Sequence, residues 1–169
     1  MPAEVGNDSG KVLNVDLSIA INISARLMRA VSTRHGVPIF ARAQKRFGYG
    51  RRIAAPQIGV PQRVIFIDTD EFKGPLINPR ASWKPDNQFE VWDSCFSFNV
   101  AFFVLVSRNY SIKAESSDQQ GEPHLLAADK TLSELLQHEL DHLDGILATD
   151  IVKDNKKMIM RSEWERKVG

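Results

Sequence analysis

Residues 137–145 read Gln137-His138-Glu139-Leu140-Asp141-His142-Leu143-Asp144-Gly145. They sit inside a longer pattern in which Leu132, Leu135, Leu136, Leu140 and Leu143 recur at helical spacing. Asp129 or Thr131 serves as cap, and Gly145 as stop. On such a helix the rings of His138 and His142, four residues apart, lie one above the other on one face. Two imidazoles so placed can reach one ion, with Glu139 beside the water that completes the site. The bland alternative is a helix surface that carries two histidines by accident. The chain holds only four histidines, the others being His35 and His124, so a pair flanking a glutamate points to metal.

A hydrolytic site of this kind has three protein ligands and an open position. Continuing the helix as HExxHxxGxxH needs a histidine at position 148; Gly145 is in place, but Ala148 is not a ligand. Glu163 or Glu165 could serve as a downstream carboxylate, and His35, His124 and Cys95 also remain. Thiolate is an excellent ligand for zinc or ferrous iron, which ranks Cys95 first and leaves the glutamates open.

The chain of 169 residues suits one domain, here taken as 1–169, with 43% hydrophobic and 25% charged residues. Its net charge of +1, from 22 basic and 21 acidic residues, gives no support for a nucleic-acid partner. A single cysteine excludes an intrachain disulfide and points to a reducing intracellular address, the cytoplasm or, if a transit segment is missing from this chain, an organelle. The longest apolar run, Val100 to Val106, is too short to span a bilayer, so no membrane is expected. Met1 to Lys11 carries Glu4 and Asp8 without an apolar centre and does not read as a signal peptide. Nothing in the sequence speaks to oligomeric state.

Residues 1–14 read as a loose tail. From Asp16, a helix N-cap, Leu17, Ala20, Leu27, Met28 and Val31 fall on one face, although Ile19, Ile21 and Ile23 alternate as in a strand. Gly36 and Pro38 stop this segment. A basic cluster (Arg42, Lys45, Arg46, Arg51, Arg52) surrounds Gly48 and Gly50. Residues 63–68 read as a buried strand, and Leu76-Ile-Asn-Pro79 as a short strand stopped by proline. Strands are expected over 89–98, 101–107, 110–115 and 123–128, the last two joined by a turn at Gln119-Gln120-Gly121. A final amphipathic helix is expected over about 155–167, within a C-terminal segment 153–169, with Met158, Ile159 and Trp164 inward. Helix, strands, then helix is an α+β order: short mixed and antiparallel strands around a central HExxH helix.

Three motifs in this order resemble the peptide deformylase family. Residues 137–145 match its QHExDHxxG at every specified position. Asp93-Ser-Cys-Phe-Ser97 is similar to EGCLS, and Gly50-Arg-Arg-Ile-Ala-Ala-Pro-Gln57 to GxGxAAxQ. The resemblance covers roughly residues 15 to 165. It implies that Cys95, His138 and His142 bind one divalent metal ion, ferrous iron (Fe(2+)) in the family, with zinc, nickel or cobalt also accepted. It implies that Glu139 takes a proton from the metal's water and delivers it to the leaving amine. The amide of Gln57 and the backbone N–H of Phe96 would stabilise the oxyanion. The implied reaction removes the N-formyl group from formylmethionine at a peptide or nascent-chain N-terminus.

The departures fall on the substrate side, where Gly50, Arg51, Arg52 and Glu134 are the expected contacts. Arg52 replaces the second glycine of the first motif, and either narrows the cleft or points to solvent. Glu134 stands where the family commonly has an aliphatic residue, though Thr131-Leu-Ser-Glu134 also fits a capping box. Asp93 and Ser94 replace glutamate and glycine. Three readings therefore stand side by side. One is a deformylase of formylmethionyl peptides. Another is a deformylase-like hydrolase of a different N-acyl amide, with Arg51 and Arg52 favouring an anionic one. The third is a metal-binding homologue with little turnover.

Overall fold

The structure is a computed structural model that describes residues 13–32, 52–95, 97, 102–152 and 154–168. The expectations for the N-terminal tail up to residue 12, for Gly36 and Pro38, for the basic cluster up to Arg51, and for Gly50 and Phe96 lie outside the described residues.

Helix α1 (Leu17–Ser32) begins where Asp16 Oδ1 accepts hydrogen bonds from the Ser18 N–H (2.9 Å) and hydroxyl (2.7 Å). The segment is helical from its first turn, so the isoleucine alternation is not expressed as a strand. Ala20, Ile23 and Leu27 form its buried face, whereas Met28, expected inside, is exposed together with Ile19 and Ile21. The correction follows from the helical period: positions 20, 23 and 27 share a stripe that leaves 28 a full residue past its edge. The side chain of Val31 lies outside the description.

Strands β1 (Arg52–Ala54), β2 (Val64–Asp68), β3 (Lys73–Trp83), β6 (Ser111–Ser117) and β7 (Pro123–Asp129) form an antiparallel sheet in the order β1-β2-β3-β6-β7. A second sheet, β4-β5-β8, joins β4 (Gln88–Asp93), β5 (Phe102–Asn109) and β8 (Met158–Met160), also antiparallel. The large sheet is the middle layer. Val64 and Phe66 of β2 face α1, while Ile65 and Ile67 face helix α2 (Lys130–Leu143), which explains the unbroken apolar run. Against this second face α2 lays Leu132, Leu136, Leu140 and Leu143. It stops where Gly145 takes φ +73°, a left-handed conformation suited to glycine, and Ile146 N–H returns to the Asp141 carbonyl.

Three expectations need correction. Strand β3 does not stop at Pro79 but runs on to Trp83. Asn78 adopts φ +51° and the ladder to β6 shifts register between Ile77 and Arg80, so the proline lies in a bulge and withholds no ladder hydrogen bond. The C-terminal helix is shorter than expected. Met158 to Met160 pair as β8 with Phe102 to Val104; after the short helix α3 (Ala148–Ile151), Asn155–Lys157 form a single 3-10 turn and α-helix resumes only as α4 (Arg161–Val168). A Met-Ile-Met alternation sends Ile159 inward at the period of a strand, and Trp164 of α4 stacks on Phe103 with ring centroids 4.6 Å apart. The strand expected over 89–98 ends at Asp93.

Candidate metal centre

The face of α2 opposite its leucines is polar and still buried: Glu134, Gln137, His138 and His142 are each 7% exposed or less. Groups so deep must find partners inside the molecule. Cys95, two residues beyond β4, meets them. Its Sγ lies 3.0 Å from His142 Nε2, and that nitrogen lies 3.0 Å from His138 Nε2. The ligand atoms of Cys95, His138 and His142 all fall within 4.8 Å of one another. The structure thus brings the one cysteine to the two helical histidines, while Glu163 and Glu165 of α4 pair with Arg166 and Arg161.

The donor chemistry fits a cation. Burial holds both imidazoles neutral, His142 down to about 3 with His138 and Arg52 adding to the effect, so each ring keeps a lone pair. Burial also pushes the Cys95 thiol up, against hydrogen bonding from Ser97. A metal ion is the natural partner for a thiolate and two lone pairs converging at this spacing. Asp93, Glu134 and His138 form a second cluster of ligand types, but there the cation is already supplied by the chain as Arg52.

Asp93, at the end of β4, organises what lies behind the histidines. Its Oδ2 accepts from His138 Nδ1 at 2.8 Å and from Arg108 Nη2 at 3.1 Å. Its Oδ1 accepts from Arg52 Nη2 at 3.2 Å. Burial alone would raise the Asp93 carboxyl, but His138, Arg52 and Arg108 overcome it and hold the group far below the ordinary carboxylate range. Arg108 also pairs with Asp141. Arg52 points inward, which settles its orientation against the solvent: Nε donates to Glu139 Oε1 at 3.1 Å and Nη2 to Glu134 Oε1 at 3.3 Å. Glu134 therefore faces Arg52 rather than closing a capping box. Burial pushes Glu134 up to about 7 and Glu139 up to about 8, with Arg52 opposing both shifts. The second carboxylate oxygen of Glu139, Oε2, is buried and has no hydrogen-bond partner among the described residues.

Gln57, in the 3-10 turn Ala55–Ile58 after β1, is oriented by its Oε1, which accepts from Ala54 N–H at 2.9 Å. Its Nε2 is thereby aimed at Cys95 Sγ (3.6 Å), His142 Nε2 (3.4 Å) and Ser97 Oγ (3.4 Å). Gln137 clamps α2 to β5, accepting from Asn109 N–H and donating to the Asn109 carbonyl. Sequence reasoning missed Arg108. Its signal was available: Val104, Val106 and Arg108 alternate inward along β5, and an arginine on a buried strand face requires buried acids.

The polypeptide deformylase family model matches residues 14–158. The peptide deformylase of Desulfitobacterium hafniense is 37% identical over 64% of this chain and 71% of its own length. Peptide deformylase 1 of Bacillus cereus is 30% identical over 88% of this chain and 91% of its own. Among solved structures, a Synechococcus elongatus peptide deformylase in complex with actinonin superposes with a TM-score of 0.60 at 31% identity, covering 64% of this chain and 59% of that one.

Proposed function

The chain belongs to the polypeptide deformylase family, hydrolytic and metal-dependent enzymes that remove the N-formyl group from nascent peptides, and on that premise we propose that Cys95, His138 and His142 hold its metal ion and that Glu139 carries the proton. The observation that carries the reading is the convergence of one Sγ and two Nε2 atoms beside the buried Glu139 carboxylate, whose Oε1 lies 4.0 Å from His138 Nε2. A divalent ion held there supplies a Lewis acid that polarises the formyl carbonyl and acidifies water. The donor set accepts ferrous iron, the metal expected from the family, and also zinc, nickel or cobalt.

The chain's own groups do the rest. Asp93 orients the His138 ring. The Glu139 carboxylate receives a proton from the attacking water and returns it to the amine nitrogen as the C–N bond breaks, leaving formate and a free N-terminus. Gln57 Nε2 donates to the carbonyl oxygen as charge builds on it, with the Phe96 N–H as second donor. The substrate is a formylmethionyl peptide or nascent chain, and an unpaired Cys95 suits the reducing cytoplasm in which such chains are made. Arg52 is already engaged by three carboxylates, so it is not itself the free cation that an anionic acyl amide would need.

Formate release from formyl-Met-Ala-Ser, measured anaerobically with ferrous iron restored, tests the proposal. Turnover by the wild-type chain and its loss in Glu139→Ala, with metal still bound, is the expected result. Bound metal without formate release would identify a metal-binding homologue instead.

A further inference from the structure

We propose that Arg52 is a positioning residue for Glu139, an inference that rests on the proton-carrying role given to Glu139 above. Arg52 and Ala54 share the inward face of β1, and the arginine side chain runs into the polar face of α2. Its guanidinium meets three carboxylates: Asp93 from the end of β4, and Glu134 and Glu139 from α2. Five residues of helix turn Glu134 and Glu139 well away from each other, so only a long, forked side chain reaches both.

The fork distributes its donors unequally. Nη2 is shared between Asp93 Oδ1 and Glu134 Oε1, which fix the plane of the guanidinium. Nε is then left facing Glu139 Oε1 at 3.1 Å. One oxygen of Glu139, Oε1, is held by this bond, and the other, Oε2, is buried with no hydrogen-bond partner among the described residues. The oxygen held by Arg52, Oε1, also lies 4.0 Å from His138 Nε2, so this bond fixes the carboxylate relative to the proposed ligand set. Asp93 links the same guanidinium to the His138 ring through its other oxygen, so Glu139 and that imidazole share one frame. Glu134 completes the device: it anchors the fork without touching Glu139 in its place. Lysine would retain the charge but not the two-point hold, because a single ammonium cannot fix a plane.

A double-mutant cycle with Glu139 separates positioning from mere charge balance. Arg52→Lys and Glu139→Asp are made singly and together, and kcat and KM for formyl-Met-Ala-Ser, metal content and Tm are measured. Arg52→Lys is expected to lower kcat by about tenfold or more while KM stays within about threefold and one metal ion per chain is retained. In the Glu139→Asp background, where the shortened carboxylate already lies beyond Nε, the same change is expected to cost less than about threefold. Equal losses in the two backgrounds would overturn the inference, as would loss of metal or folding that accounts for the fall in kcat. Should Arg52→Lys not fold, Arg52→Met combined with Glu134→Leu removes one buried cation and one buried anion together and takes its place in the cycle, with the same expectation. A Glu139→Asp enzyme as fast as wild type would instead remove the role of Glu139 itself, a failure distinguishable from additivity.

Discussion

Asp93 Oδ2 stands 2.8 Å from His138 Nδ1. Because Arg52 and Arg108 help His138 keep that carboxyl ionised, Asp93 can only accept, and the ring must place its proton on Nδ1. The lone pair is then fixed on Nε2, which faces His142 Nε2 and the thiol beyond it.

Asp93→Asn is predicted to weaken this control. An amide can present either a donor or an acceptor to the ring, and it no longer offsets Arg52 and Arg108. Metal affinity should fall about 10–100-fold in a chelator competition. Unchanged affinity would show that the ring is oriented by its packing alone.

Stability should divide along the two faces of the helices. Leu136, wholly buried between α2 and the large sheet, is predicted to cost about 2–5 kcal/mol as Leu136→Ala in denaturant unfolding. Ile19→Ala, on the solvent face of α1, should stay within about 0.5 kcal/mol. A large loss at Ile19 would mean that this face is covered.

The cap of α1 gives a pH signature. Hydrogen bonds from Ser18 lower the Asp16 carboxyl below its ordinary value of 3.8. A depressed carboxylate contributes stability that is fully present above the unfolded value and is lost as pH falls through the folded one. Asp16→Ala should therefore unfold more readily than wild type at neutral pH, and the gap should close as the solution is acidified below 3.8. A gap that persists unchanged in acid would assign the effect to helix propensity rather than to the charged cap.

The central helix was legible because its leucines keep the helical period for more than three turns and end on a glycine. The Asp118–Glu122 turn was legible as well: Gly121 takes φ +85° and Asp118 Oδ1 accepts from the N–H of Gln120 and Glu122. The third ligand type was not. Spacing alone left Cys95 beside Glu163 and Glu165, since only tertiary pairing of β4 with β5 and α2 decides which reaches the histidines. Pro79 misled because a bulge one residue earlier is invisible to a rule that treats proline as a stop. Met158 to Met160 were too few for a period to separate strand from helix, and pairing with β5 decided. Arg52 was ambiguous for a different reason: the direction of a long side chain depends on the acids that two other segments of chain bring to it.

X-ray absorption at the edge of the metal bound to the zinc-loaded protein, with and without Cys95→Ser, tests the proposed centre most directly. The proposal predicts one sulfur at about 2.3 Å and two imidazole nitrogens at about 2.0–2.1 Å, with the sulfur lost in the variant. A shell of nitrogen and oxygen alone, identical in the two proteins, would contradict it.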